Sequence, residues 1–215
     1  IEVDDISIII DTGPDFRQQM LRECVVKIDA ILYTHAHKDH IAGLDDIRSF
    51  NFKSKKAMDV FCTEHVLSCL KNEFSYIFSE IKYPGIPKIN VSIINELPFF
   101  INKTKIIPIY ALHHKLPVLG FRIKNFIYLT DISEISVKEK LKMFNADLII
   151  LDSLRREPHI SHLCLEQSLD LLTELKPKKA YLTHISHLMG LNDIVNKELP
   201  KNIQLGYDGL NIKLS

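Results

Sequence analysis

The chain has 215 residues, 46% of them hydrophobic, which suits one domain with a substantial core. Lys plus Arg and Asp plus Glu number 27 each, and this neutral balance excludes a nucleic-acid binder that works by bulk charge. No run of about 18 apolar residues marks a membrane span, and no signal-peptide pattern is visible.

In chain order, ISIIIDTGPDF (6–16) predicts a β-branched strand that Thr12-Gly13-Pro14 ends, followed by a short helix over 15–23. DAILYTHAHKDH (29–40) predicts a strand from Ala30 to Thr34. Ile41, Leu44, Ile47 and Phe50 then recur at helical spacing. AMDVFCT (57–63) reads as a strand, EHVLSCLKNEFSYIF (64–78) as a helix and KYPGIPKIN (82–90) as an exposed loop. VSII, TKIIPIYAL, VLGFRI and FIYLTD, between 91 and 131, predict consecutive antiparallel strands. A helix over 137–144, strand ADLIILD, a helix over 162–175, strand KAYLTH, a helix over 188–198 and two short strands complete the pattern. Strands in meander followed by alternating strands and helices predict a layered α/β sandwich. Cys24, Cys62, Cys69 and Cys164 form no CxxC pair. They read as four small buried thiols of a chain in the reducing cytoplasm.

YTHAHKDH (33–40) packs His35, His37, Asp39 and His40 into six positions. Imidazoles and carboxylates are costly to bury unless paired or bound, so this density points to a metal site rather than a solvated loop. Other predicted strands also finish in metal-ligating residue types: His113 and His114 after 105–112, Asp131 after FIYLTD, and His184 after KAYLTH. If those strand ends share one sheet edge, as in α/β folds, the residues converge. Imidazole and carboxylate donors without thiolate suit Zn²⁺, Mn²⁺ or Fe²⁺ and keep the ions Lewis acidic. Two such ions can share a hydroxide, a nucleophile at neutral pH. Asp131 is the candidate carboxylate to hold the pair. Adjacent strand residues face opposite ways, so only one of His113 and His114 should ligate.

The segment His35-Ala36-His37-Lys38-Asp39-His40 resembles the HxHxDH signature of the metallo-β-lactamase superfamily. IIIDTGPDFRQQML, HHKLPVLGFRI, YLTDIS and LTHISH…LP…YDGL, in this order, resemble the subgroup that includes the cyclic phosphodiesterase of phosphonate breakdown. The resemblance implies a four-layer αββα fold with two divalent ions, Zn or Mn. It assigns His35, His37 and His113 to one ion, Asp39, His40 and His184 to the other, and Asp131 as the bridge. It makes Asp39 and His162 the catalytic candidates and places Asp11 behind the ligand loop. The Leu of LPV selects His113 as the ligand and leaves His114, like His187 and Asp208, to the pocket. Subgroup members begin with a strand and Gly-rich turn before the point matching Ile1, so the chain reads as missing that N-terminal strand.

EPHISHLCLEQSLDLL (157–172) predicts an amphipathic helix from near Ser161, with His162 in its first turn. A helix N-terminus favours anions, so His162, ahead of His159, is the expected proton donor to a leaving oxygen. Arg17, Arg155, Arg156 and Lys115 are further phosphate-binding candidates, each also readable as a solvated charge. His65 reads as a surface or packing residue. The expected activity is hydrolysis of a small cyclic phosphodiester. No basic arm for gripping a large RNA is present, and a homodimer is compatible with the pattern. The alternatives are a tRNA-processing nuclease, a thioester or lactam hydrolase, and a non-catalytic metal- or nucleotide-binding protein.

Overall fold

The computed structural model describes residues 1–81 and 83–214. The chain divides into two compact units, Ile1–Leu97 with Ile101–Thr104, and Pro98–Phe100 with Lys105 onward. Both units are mixed α/β, and each carries its own core.

In the first unit, β1 (Glu2–Val3) and β2 (Ile6–Ile10) form a hairpin through Asp4 and Asp5, at φ 48° and 68°. Positive φ at both central residues matches strand twist, and aspartate tolerates it. β2, β3 (Ala30–Leu32), β4 (Met58–Cys62) and β5 (Ile89–Ile93) are parallel neighbours. Helices α1 (Phe16–Arg22), α2 (Lys38–Ile41), α3 (Arg48–Ser54), α4 (Glu64–Glu73) and α5 (Ser75–Phe78) fill the connections. Ile31, Leu44, Ile47, Val60 and Leu70 are fully buried in the core. VSII therefore belongs to β5 of this parallel sheet and not to an antiparallel run. The expected meander thus loses its first strand, and the strand–helix alternation that follows the β1-β2 hairpin extends to β5. The predicted helix over 64–78 breaks at Phe74, at φ −120°. The loop expected over 82–90 gives way to β5 at Ile89, and its first residue, Lys82, lies outside the described residues.

The second sheet has the order β12-β11-β10-β9-β8-β7-β6. Its strands are β6 (Phe99–Ile101), β7 (Thr104–His113), β8 (Leu116–Ile123), β9 (Phe126–Leu129), β10 (Leu148–Asp152), β11 (Lys179–Thr183) and β12 (Ile203–Leu205). β7-β8-β9 is the expected antiparallel run, and β9 to β12 are parallel. Two antiparallel steps bring β7 back to the direction of β9. The C-terminal ends of β7, β9, β10 and β11 thus lie along one edge. Helices α6 (Val137–Lys140), α7 (Leu165–Leu175) and α8 (Asn192–Glu198) accompany this sheet. Leu171, Leu172 and Val195 pack with Ile149, Leu151, Ala180 and Leu182 in its core. α6 is shorter than the predicted 137–144, and of the two C-terminal strands expected, β12 forms among the described residues.

α7 begins at Leu165 with Cys164 as its N-cap, where the Gln167 side chain accepts a hydrogen bond from the Cys164 N–H. His162 therefore precedes the helix and does not lie in its first turn, which corrects the sequence reading. All four cysteines are free thiols, but Cys24 is exposed and Cys69 half-buried, so only Cys62 and Cys164 fit the expectation of burial. Cys24 sits at φ 51° in the turn after α1, outside the core, whereas burial pushes the Cys62 thiol up to about 12.

Two glycines clamp the loop after β2 to the HxHxDH segment. The Thr12 N–H donates to His40 O (2.7 Å) and the Gly43 N–H to Thr12 O (2.8 Å). A Cβ on Gly43 would meet Gly13 O at 2.4 Å and Phe16 Cβ at 2.6 Å, and one on Gly13 would meet Asp39 O at 2.7 Å. Overpacking of this kind costs about 1–3 kcal/mol. Gly43→Ala should therefore lower the unfolding free energy by that amount in urea titration. An unchanged midpoint would show that this backbone yields freely.

Candidate metal centre

In the first unit, β2 is followed by Asp11, whose carboxylate reaches across to the segment after β3. Asp11 Oδ1 accepts the Thr34 N–H at 2.8 Å, and Oδ2 accepts the Thr34 hydroxyl at 2.7 Å. The same Oδ2 lies 2.7 Å from His40 Nδ1. Burial pushes the Asp11 carboxyl up, and the contacts with His40 and Thr34 oppose that shift. With its hydrogen given to Asp11, the Thr34 oxygen, 3.0 Å from His35 Nδ1, can only accept there. His35 and His40 are thereby held with hydrogen on Nδ1 and the lone pair on Nε2, the form a metal requires. The His35 ring lies 4.1 Å from that of His40 and 4.6 Å from that of His37, and Asp39 Oδ2 is 3.4 Å from His40 Nε2. His35 and His40 are buried, whereas His37 and Asp39 are exposed.

In the second unit the strand ends supply a further donor cluster. Asp131, Asp152, His162 and His184 each offer a ligand atom, all within 4.8 Å of one another. Asp131, just past β9, accepts the Thr130 hydroxyl at 2.7 Å and faces His184 Nε2 at 3.3 Å. His113, the last residue of β7, lies 2.8 Å from Ser161 O through Nδ1. A carbonyl only accepts, so the His113 hydrogen is on Nδ1 and Nε2 carries the lone pair. His114, exposed in the hairpin at φ 55°, donates its N–H to Ser133 Oγ (2.9 Å).

Asp152 is a functional candidate that the sequence reading missed, although ADLIILD ends in an aspartate just as its neighbours end in donors. It is fully buried. Its Oδ2 accepts the Ile132 and Leu163 N–H groups at 3.2 Å each and lies 3.4 Å from His162 Nδ1. Its Oδ1 lies 3.8 Å from His184 Nδ1. The buried His162 ring stacks on that of His184 (4.8 Å, 15°) and meets that of His113 edge-on at 4.5 Å. His159 is half-buried and its Nδ1 accepts the Ser161 N–H at 3.3 Å. Burial, with His162 and Arg155 nearby, lowers its proton affinity.

The other candidates separate. His187 opens a 3₁₀ turn over His187–Met189 and is exposed, as is His65 on α4. Asp208 lines a pocket that His184 also lines. Arg155 is engaged by the carbonyls of Glu157 and Pro158, and Arg156 by Met189 O and Glu198. These two guanidiniums brace loops. Arg17 stays exposed, 3.9 Å from Asp46.

Six candidate donors are imidazoles and three are carboxylates. Three of the imidazoles, His35, His40 and His113, are held in the ligating tautomer, and no thiolate is among the donors. This set fits borderline divalent ions such as Zn²⁺ or Mn²⁺. His113→Ala should lower the metal content of the purified protein by elemental analysis, whereas His114→Ala should retain it. The reverse pattern would exchange their assignments.

A family model described as "Beta-lactamase superfamily domain" matches residues 7–185, a span that runs through both units. A crystal structure described as a new diphosphatase from the PhnP family is 35% identical with a TM-score of 0.91, covering 100% of this chain and 82% of that one. A Porphyromonas gingivalis protein named octanoyltransferase is 34% identical over 205 residues, 94% of this chain and 41% of that protein. A ribonuclease Z of Staphylococcus epidermidis is 27% identical over 121 residues, 54% of this chain and 38% of that protein. The chain thus spans about two fifths of the length of these curated relatives. Motif order, fold and family match agree: the chain belongs to the metallo-β-lactamase superfamily and, within it, resembles the PhnP family.

Proposed function

We propose that this chain is a metal-dependent phosphodiesterase that cleaves a small, cyclic phosphodiester. The pairing of His162 with fully buried Asp152, beside His184, carries the reading. Acyl transfer leaves no comparable need for a buried acid on the leaving-group side, and the octanoyltransferase name describes a protein more than twice as long as the matched stretch.

We assign His35, His37, Asp39, His40, His113, Asp131 and His184 to holding two divalent ions, as the superfamily resemblance implies. When bound, such ions polarise phosphoryl oxygens and supply a nucleophile at neutral pH. Thr34 and Asp11 hold the His35 and His40 rings in register. Asp152, facing His162 Nδ1, favours the protonated ring and directs Nε2–H outward to the departing alkoxide. The proton passes from His162 to the leaving oxygen as the P–O bond breaks. A second reading, hydrolysis of a diphosphate, draws on the activity stated for the PhnP-family structure. It uses the same donors with a phosphate as leaving group, which needs the proton less.

Turnover of bis(p-nitrophenyl) phosphate by protein reconstituted with Mn²⁺ or Zn²⁺ tests the proposal, and a metal-loaded protein inert to every phosphodiester and diphosphate would overturn it. His162→Ala should slow a cyclic or alkyl diester about 10²–10⁴-fold, or about 3–5 kcal/mol of barrier. Bis(p-nitrophenyl) phosphate, whose leaving group is already a stable anion, should suffer far less, with metal content unchanged. Equal slowing of both would reduce His162 to positioning, and loss of metal would make it a ligand. Asp131→Ala should lower the metal content below one ion per chain, because its carboxylate is assigned to both ions.

A further inference from the structure

The backbone N–H and C=O groups of a strand point to alternate edges, residue by residue. β8 takes one edge of β7. On the other, Pro108, Tyr110, Leu112 and His114 meet the segment that follows Asp131. Pro108, with no N–H to offer, suits such an edge. Lys142 Nζ donates to Pro108 O at 2.9 Å and to Glu139 Oε2 at 2.7 Å, and the Tyr110 N–H donates to that same Oε2 at 2.7 Å. Glu139 is 3% exposed, so an ion pair with a buried carboxylate stands where a neighbouring strand would. Nearer the cluster, the Leu112 N–H donates to Glu134 O at 2.9 Å. Leu112 O accepts the Ser133 N–H at 2.7 Å and the Ser133 hydroxyl at 3.0 Å. Ser133 Oγ accepts the His114 N–H at 2.9 Å. One serine thus grips both neighbours of His113, and it lies two residues beyond Asp131.

We propose that Ser133 is a positioning residue that holds His113 in register with Asp131. The inference rests on the ligand assignment of the phosphoryl reading above and deepens it by naming what keeps two ligands of one ion together. A hydroxyl can donate and accept at once, and Ser133 does both, to Leu112 O and from the His114 N–H. His114 sits at φ 55°, a conformation that residues with a Cβ adopt only at a cost, and the bond from its N–H offsets that cost. The other end of the link is also fixed, because the Ile132 N–H, between Asp131 and Ser133, donates to Asp152 Oδ2 at 3.2 Å. Removing the hydroxyl loosens the backbone on both sides of His113. It leaves the His113 ring its bond to Ser161 O and leaves Asp131 its bond from the Thr130 hydroxyl. The loss should therefore fall on the ion assigned to His113.

Ser133→Ala, loaded with Zn²⁺ and titrated with a competing chelator, should hold the ion assigned to His113 about tenfold more weakly. The ion assigned to Asp39, His40 and His184 should keep its affinity. Ser133→Thr retains the hydroxyl and should bind both ions as the unaltered chain does. In the metal-free protein, amide hydrogen exchange at His114 should speed up in Ser133→Ala and stay slow in Ser133→Thr. Val195→Ala, which opens the buried core at α8, measures plain destabilisation. It should lower the urea midpoint without separating the two ions. Unchanged zinc binding in Ser133→Ala, equal weakening of both ions, or the same loss in Ser133→Thr would overturn the proposal. Selective loss of one ion in a protein inert to phosphodiesters would uphold Ser133 and remove the hydrolase reading. Turnover of phosphodiesters with zinc binding untouched by Ser133→Ala would do the reverse.

Discussion

The donor clusters of the two units each depend on a carboxylate buried at a strand end. Asp11 in the first unit and Asp152 in the second sit where a buried strand stops, and each takes two or more donors from the neighbouring chain. A carboxylate taken out of water in this way is tolerable only when so satisfied, and hydrogen bonds to a charged group each contribute about 1.5–3 kcal/mol. Both aspartates hand the remaining interaction to imidazoles: Asp11 to His40 directly and to His35 through Thr34, and Asp152 to His162 and His184. The rings are thus oriented by the same groups that close the strand ends.

The backbone carries the cost of this placement. Asp11, Asp131 and His184 all adopt the left-handed region, at φ 60°, 55° and 57°, each directly after a strand or one residue beyond. For residues with a Cβ this costs roughly 1–2 kcal/mol each. Aspartate and histidine are among the side chains that bear it best. Three such residues at three strand ends indicate a geometry fixed by the side chains they present. The left-handed step turns the chain sharply off the strand and leaves the carboxylate or imidazole at the edge.

The strand-end rule made most of this visible in the sequence. His113 closes β7, Asp131 and His184 come just after β9 and β11, and the dense HxHxDH segment follows AIL, so their placement needed only the strand pattern. Asp152 escaped because a lone aspartate after an apolar run resembles an ordinary helix-capping or turn residue, and its two backbone donors come from segments 11 and 20 positions away. VSII was misplaced because an apolar run of four does not state whether its partner is parallel or antiparallel; pairing with β4 is a tertiary choice. The start of α7 was set three residues early because Ser161 is a good cap by composition. The Leu154 N–H donates to Leu163 O and the Leu163 N–H to the Asp152 carboxylate, and these bonds keep the chain out of the helix until Cys164.

His162 and His184 stack nearly parallel on one another and share one carboxylate, yet they are assigned different tasks. Their surroundings divide them. His184 ends a strand in a fixed left-handed conformation, with Nε2 facing the Asp131 carboxylate at 3.3 Å, which is the setting of a ligand. His162 sits on a loop whose next residue is bonded to Asp152, and its Nδ1 is nearer that carboxylate than the Nδ1 of His184 is. A cation bound at His184 would disfavour positive charge on His162, because like charges at this distance repel. In the proposed assignment Asp152, fully buried and 3.4 Å from His162 Nδ1, is the group that offsets this repulsion, so that a proton donor could stand beside a metal ligand.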